Sequence, residues 1–142
     1  MSYYAEVVRT RDPMGPGKLT LYKDHEPVGQ WDCITGGDQT DPKTLGGLCP
    51  PIAWMMIEPI KMRPHPKRHT MEMARIIPIY DGKMEYNQRT FSIHDWPFMI
   101  HVAGSSSGCI AIERSQWREC VNALNNAWHE CTFEIMVIDQ QA

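Results

Sequence analysis

Only one stretch of this chain carries the apolar period of a helix, and it comes late. From Ser115 to Glu130, the residues Trp117, Val121, Leu124 and Trp128 recur at intervals of four, three and four, which places them on one face. Ser115 is the expected N-cap. What precedes it reads as short strands parted by turn chemistry. Tyr3–Arg9 is a strand rich in Tyr and Val, broken by Asp12-Pro13 and Gly15-Pro16-Gly17. Leu19–Tyr22 alternates apolar and polar, Lys23–Pro27 is polar enough for a hairpin turn, and Val28–Ile34 returns. On that return Val28, Gln30, Asp32 and Ile34 share one face, Trp31 and Cys33 the other, and Gly36-Gly37 ends it. Residues 38–50 read as loop and Ile52–Ile57 as a strand. Pro59–His69, with three prolines, reads as an irregular excursion. Met71–Tyr80 is a buried strand closed by the hairpin signal Asp81-Gly82. Arg89–His94 is a strand with Phe91 and Ile93 facing alike, Asp95–Ser107 mostly loop, Cys109–Ile112 a short strand and Thr132–Ile138 a closing one. The expected fold class is mostly β (α+β), one amphipathic helix packed on a sheet, in a single domain spanning residues 1–142.

A chain of 142 residues is long enough to bury one core without disulfides or a structural metal. Its 42% apolar and 22% charged content is that of an ordinary globular domain. With a net charge of −3 there is no global basic excess to neutralise phosphates, so nucleic acid is not an expected partner. No apolar run approaches the ~20 residues needed to span a bilayer. Met1–Asp12 lacks a basic segment followed by an apolar one, so no cleavable export signal is expected and synthesis in the cytoplasm is. The five cysteines are odd in number, widely spaced and without a CxxC, which argues against a disulfide framework or a zinc knuckle.

The sharpest local feature is Gly104-Ser105-Ser106-Ser107-Gly108-Cys109-Ile110. A cysteine directly after glycine, where a loop of small residues enters an apolar strand, has a chemical logic. Gly108 permits a tight turn and leaves no side chain over the thiol. Backbone N–H groups in such a turn can converge on an oxyanion. The bland alternative is a small buried core cysteine. A nucleophilic thiol also needs a base, because the thiolate is the reactive form and a free thiol has a pKa of ~8.5. Two histidines lie upstream: His94 after Phe91-Ser92-Ile93, and His101 after Met99-Ile100. Either can be held at a strand end and reach an adjacent strand.

The run Phe91-Ser92-Ile93-His94 through Gly104-Ser105-Ser106-Ser107-Gly108-Cys109-Ile110 resembles the signature of YkuD-type L,D-transpeptidases, a histidine at a strand end, a loop, then Ser/Thr-x-Gly-Cys-Ile. Gly17–Tyr22 with Val28–Gly37 resembles the family's opening hairpin, and Leu45–Pro51 its Thr-Pro-x-Gly stretch. The resemblance is closest to compact forms found as antibacterial secretion effectors and in phage. It implies a β-sandwich or barrel with the helix after the catalytic motif, no cofactor and no metal. It implies Cys109 as nucleophile, His94 as general base, and Gly108 and Cys109, with Ser107, as oxyanion donors. Ser106, Trp96, His101 and Arg63 are the expected substrate contacts, with His101 a rival base. Three positions depart from the family pattern: Ser107 where His is common, Asp95 where Gly is, and Ala111 where Arg is. The implied partner is a peptidoglycan stem peptide, joined by an immunity protein or secretion carrier if the role is that of a toxin delivered to the periplasm. The reaction is two-step acyl transfer, giving a carboxypeptidase with water or a transpeptidase with an amine. The competing reading is a catalytically idle binding or virion module.

The other motifs are weaker. His65-Pro66-Lys67-Arg68-His69 has the spacing of a helical zinc pair, but its prolines oppose a helix. Lys61, Arg63, Lys67 and Arg68 form a basic run that reads as a solvated loop or as an attractor of stem carboxylates. Trp54, Trp117 and Trp128 read as core or cleft wall, and Trp96, between His94 and Cys109, is placed to line the site.

Overall fold

A computed structural model describes residues 2–10, 15–36, 49, 51–65, 68–79, 83–86, 89–92, 98–103 and 110–140. The strands are β1 (Tyr3–Arg9), β2 (Pro16–Lys23), β3 (Glu26–Ile34), β4 (Ala53–Met56), β5 (Lys61–His65), β6 (Arg68–Pro78), β7 (Lys83–Tyr86), β8 (Arg89–Ser92), β9 (Met99–Val102), β10 (Ile110–Ile112) and β11 (Glu134–Asp139). One helix, α1 (Trp117–Glu130), lies between β10 and β11. In the order β4-β11-β1-β2-β3-β10-β9-β6 the strands pair side by side, and β6 returns to β4, so the sheet closes into an eight-stranded barrel. β5 is added to β6 outside this circuit, and β7 and β8 form a separate hairpin.

Alternation builds the barrel. Ala5 and Val7, Leu19 and Leu21, Trp31 and Cys33, Trp54 and Met56, Ala74 and Ile76, and Ile135 and Val137 are all at most 5% exposed and point inward. Side chains of Leu or Ile size contribute about 1.5–3 kcal/mol each when fully buried. The face of α1 formed by Trp117, Cys120, Val121, Leu124 and Ala127 joins the same apolar cluster. Polar side chains then pin the helix. Trp117 Nε1 and the Arg118 guanidinium donate to Glu72 of β6, Asn125 exchanges two hydrogen bonds with the Ile60 backbone, and Trp128 Nε1 donates to the Met56 carbonyl. The β2–β3 turn places Asp24 and His25 at φ 49° and 71°, the left-handed pair that a two-residue hairpin needs.

Among the described residues, the inward strand face carries one buried charge. Arg9 follows Ala5 and Val7 in the alternation and is 0% exposed. Its Nε donates to Asp139 Oδ1 at 2.9 Å and its Nη1 to Thr35 Oγ1 at 3.1 Å. Thr35 in turn donates through its backbone N–H and its hydroxyl to the Gly15 carbonyl, at 3.0 and 2.8 Å. The guanidinium thus ties β1, β11 and the end of β3 at the barrel end where β10 begins, since Ala111 pairs with Ile34.

Three expectations from the sequence are corrected. Residues 59–69 are not an irregular excursion, because β5 and the start of β6 form a hairpin there. Pro64 is accommodated on the outermost strand, where a missing N–H breaks no inner ladder, and the register shifts between Arg63 and His65. Within 95–107, read from the sequence as mostly loop, Met99–Val102 is an inner barrel strand. It is buried on both faces, so it lacks the alternation that reveals a half-exposed strand. Ser115 does not cap the helix. The Glu113 carboxylate accepts the Ser115 N–H and hydroxyl and winds Arg114–Gln116 into a 3-10 turn, so α1 begins at Trp117 with Gln116 as its N-cap. The Gln116 carboxamide is spent on the Asp32 backbone and carboxylate instead.

Candidate active site

Cys109, His94, Gly108, Ser107, Ser106 and Trp96 lie outside the described residues. What is described is the strand pair β9 and β10, with His101 and Arg63. β10 begins at Ile110, the residue bonded to Cys109. It runs parallel to β9, pairing Ile110 with Ile100, Ala111 with His101 and Ile112 with Val102. Ile100, Ile110 and Ile112 are fully buried in the barrel interior. Alternation therefore turns His101 and Ala111 to the outer face, where they are nonetheless buried, His101 to 5% exposure.

The imidazole is oriented by the backbone. His101 Nδ1 lies 2.6 Å from the Val102 carbonyl oxygen. A carbonyl can only accept, so Nδ1 carries the proton and the basic lone pair belongs to Nε2. The neighbours on this face are thioethers. Met73 of β6 pairs directly with His101, and Met99 precedes it by two residues on the same strand. Met73 and Met99 are buried together with Met71 against them. Beyond β9, the Ala103 N–H donates to the Ile112 carbonyl at 2.6 Å, which extends the β9–β10 pairing past Val102.

Arg63 stands on β5 within an ion cluster. Its Nε is 3.1 Å from Glu58 Oε2 and donates to the Met73 carbonyl, and its Nη2 donates to the Pro59 carbonyl at 2.5 Å. Glu58 also binds the Arg75 guanidinium at 3.0 Å and accepts the Arg75 backbone N–H. Burial pushes the Glu58 carboxyl up, but the Arg75 hydrogen bonds and the Arg63 and Arg75 charges outweigh it and hold the group below its ordinary value.

Two of the described thiols behave as core groups. Cys33 and Cys120 are buried in the barrel cluster. Burial raises the Cys33 thiol from 9.0 to about 12, Asp32 adding to the shift and Arg9 opposing it, and burial raises Cys120 as well. Both stay protonated at neutral pH, so neither is a nucleophile. A folded-state value above the unfolded one means that the Cys33 contribution to stability is complete below pH 9 and is lost as pH rises toward 12. Unfolding by urea is expected to show stability falling over that window, with the fall shallower in Cys33→Ala. Identical alkaline limbs would contradict this account of the thiol.

The sequence reading assigned the base to His94 and treated His101 as its rival. What it missed was that His101 belongs to an inner strand. The signal was present in Phe98-Met99-Ile100-His101-Val102, an apolar run bracketed by Pro97 and Gly104 with a single histidine inside it.

A closed eight-stranded barrel with one helix after the strands is the architecture of a YkuD-like fold. The family model for the YkuD L,D-transpeptidase catalytic domain matches residues 4–126, and the chain belongs to that family. The match runs from β1 into α1 and brings with it peptidoglycan as the general substrate. No curated protein and no solved structure matches the chain.

Proposed function

We propose that this domain is a cysteine-dependent L,D-acyl-transferase on peptidoglycan stems, with Cys109 as nucleophile and His101, rather than His94, as the base. The observation that carries it is the parallel pairing of Ala111 with His101, joined to the Nδ1 bond to Val102. A peptide bond holds the Cα of Cys109 ~3.8 Å from that of Ile110, and Ile110 stands one strand spacing, ~4.8 Å, from Ile100. The residue bonded to Cys109 thus pairs with the strand that carries a buried, backbone-oriented imidazole. This supports reading His101 as the base that a cysteine nucleophile needs, with the Val102 carbonyl as the group that orients it.

In the first step His101 Nε2 takes the Cys109 thiol proton and the sulfur attacks the carbonyl between an L-centre and a D-residue. The oxyanion is met by the N–H groups of Gly108 and Cys109, with Ser107 a third contributor, each such donor being worth about 3 kcal/mol in the transition state. The C–N bond breaks, the imidazolium gives its proton to the leaving amine, and a thioester remains. Water then releases a shortened stem, or a second amine makes a cross-link or an exchanged terminus. Trp96 and Ser106 belong to the same proposal as walls of the site. So does an antibacterial role. Delivered to the periplasm by a secretion system or by lysis, the activity damages stems, and an immunity protein in the producer would block this same site.

Mass spectrometry of muropeptides incubated with the protein tests the chemistry. Stems shortened by one D-residue mark hydrolysis, while dimers or swapped terminal residues mark transfer. Unchanged muropeptides at high enzyme concentration would leave the idle binding module as the better reading.

A further inference from the structure

The family pattern places an arginine at the position of Ala111, so this chain lacks that cation and needs another if it reads a carboxylate on its substrate. The register supplies one. Lys61 of β5 pairs with Met73 of β6, Met73 with His101 of β9, and His101 with Ala111 of β10. Directly paired residues point to the same side of a sheet, so Lys61, Met73, His101 and Ala111 form one row across four strands on the outer face. Two strand spacings separate Lys61 from His101, about 10 Å between Cα atoms. The lysine stem spans part of that distance, and its ammonium can snorkel along the apolar surface of Met73.

Arg63 shares this face but is committed, being held by Glu58, the Met73 carbonyl and the Pro59 carbonyl and only 18% exposed at its side chain. Arg75 is likewise engaged by Glu58. Lys61 is exposed, and among the described residues no carboxylate pairs with it. Among the described residues of this rim, Lys61, Arg63 and Arg75 stand against the one carboxylate Glu58, in a chain whose net charge is −3. We propose that Lys61 is the specificity-determining cation of the site, binding a free carboxylate of the acyl-donor peptide that lies within about three residues of the scissile carbonyl, at ~3.3–3.6 Å per extended residue. This rests on the acyl-transfer reading above, and it assigns the substrate's charge rather than its chemistry.

The test uses stem-peptide analogues that carry either the carboxylate or the neutral carboxamide, turned over by the unsubstituted protein, Lys61→Ala and Lys61→Arg. A partly exposed charge-assisted contact predicts that Lys61→Ala raises KM for the carboxylate peptide about five- to tenfold with kcat preserved. KM for the carboxamide peptide stays unchanged, Lys61→Arg restores the preference, and added salt raises KM for the carboxylate in the unsubstituted protein but not in Lys61→Ala. Equal losses on both peptides, or no change on either, overturn the role of Lys61 while leaving acyl transfer intact. Failure of the unsubstituted protein to turn over either peptide overturns the acyl-transfer reading, and the role of Lys61 falls with it.

Discussion

Cys109→Ala and His101→Ala are each expected to lower kcat on a stem peptide by about a thousandfold or more, and the double variant to be no slower than the worse single one. Nucleophile and base act as a unit. Once either is gone, the other has no proton or thiol to work on, so the losses do not add. His101 is the sharper test because it is buried on the outer face between Met73 and Met99 and its Nδ1–H satisfies the Val102 carbonyl. Alanine there removes both packing and a donor, so some lost activity could come from a disturbed strand. His101→Gln separates the two effects, since its amide can still donate to the carbonyl but cannot act as a base. Its activity should stay as low as that of His101→Ala while its urea midpoint stays near that of the unsubstituted protein. The acid limb of the kcat/KM profile should also disappear in His101→Gln. Full activity in His101→Gln beside an inactive His94→Ala would transfer the role of base to His94.

Arg9→Met is expected to destabilise the fold by about 3 kcal/mol, the largest stability effect foreseen for a single side chain. The guanidinium is fully buried, and removing it leaves the Asp139 carboxylate without this cation and the Thr35 hydroxyl without this donor. Asp139 retains 25% side-chain exposure, so partial rehydration places the effect at the low end of what a broken buried pair costs. Removing the acid as well, in Arg9→Met/Asp139→Leu, should recover part of the loss, because it removes the carboxylate that has lost its buried cation. Urea unfolding at constant m-value is the measurement. A loss below about 1 kcal/mol, or a double variant worse than Arg9→Met, would show that the pair is not what ties these strand ends.

Much of the barrel was legible because half-exposed strands advertise themselves. β1 carries the bounds read for it, and the inward Trp31 and Cys33 of β3 follow from period-two alternation alone. Trp117, Val121 and Leu124 were legible as the buried stripe of α1 for the same reason at a period of 3.6. β9 was not, because a strand covered on both faces shows no polar beat, and four residues are too few to separate from a loop. β5 was hidden by Pro64, whose meaning depends on whether a strand lies at an edge. That is a property of the assembled sheet and not of the segment.

The charged groups divide along the same line. The thiol and glycine of Gly108-Cys109 suggest a candidate acyl-transfer motif locally, since a cysteine directly after glycine is legible in adjacent residues. Which histidine stands on the neighbouring strand, which cation shares its face, and why an arginine can lie inside the barrel depend on pairings between residues distant in the chain: Ala111 with His101, Lys61 with Met73, Arg9 with Asp139. Local composition determined the strand-rich class, the single helix and the candidate nucleophile. Strand order and register, which arise only when apolar faces are buried together and backbone groups must pair, decided what surrounds it.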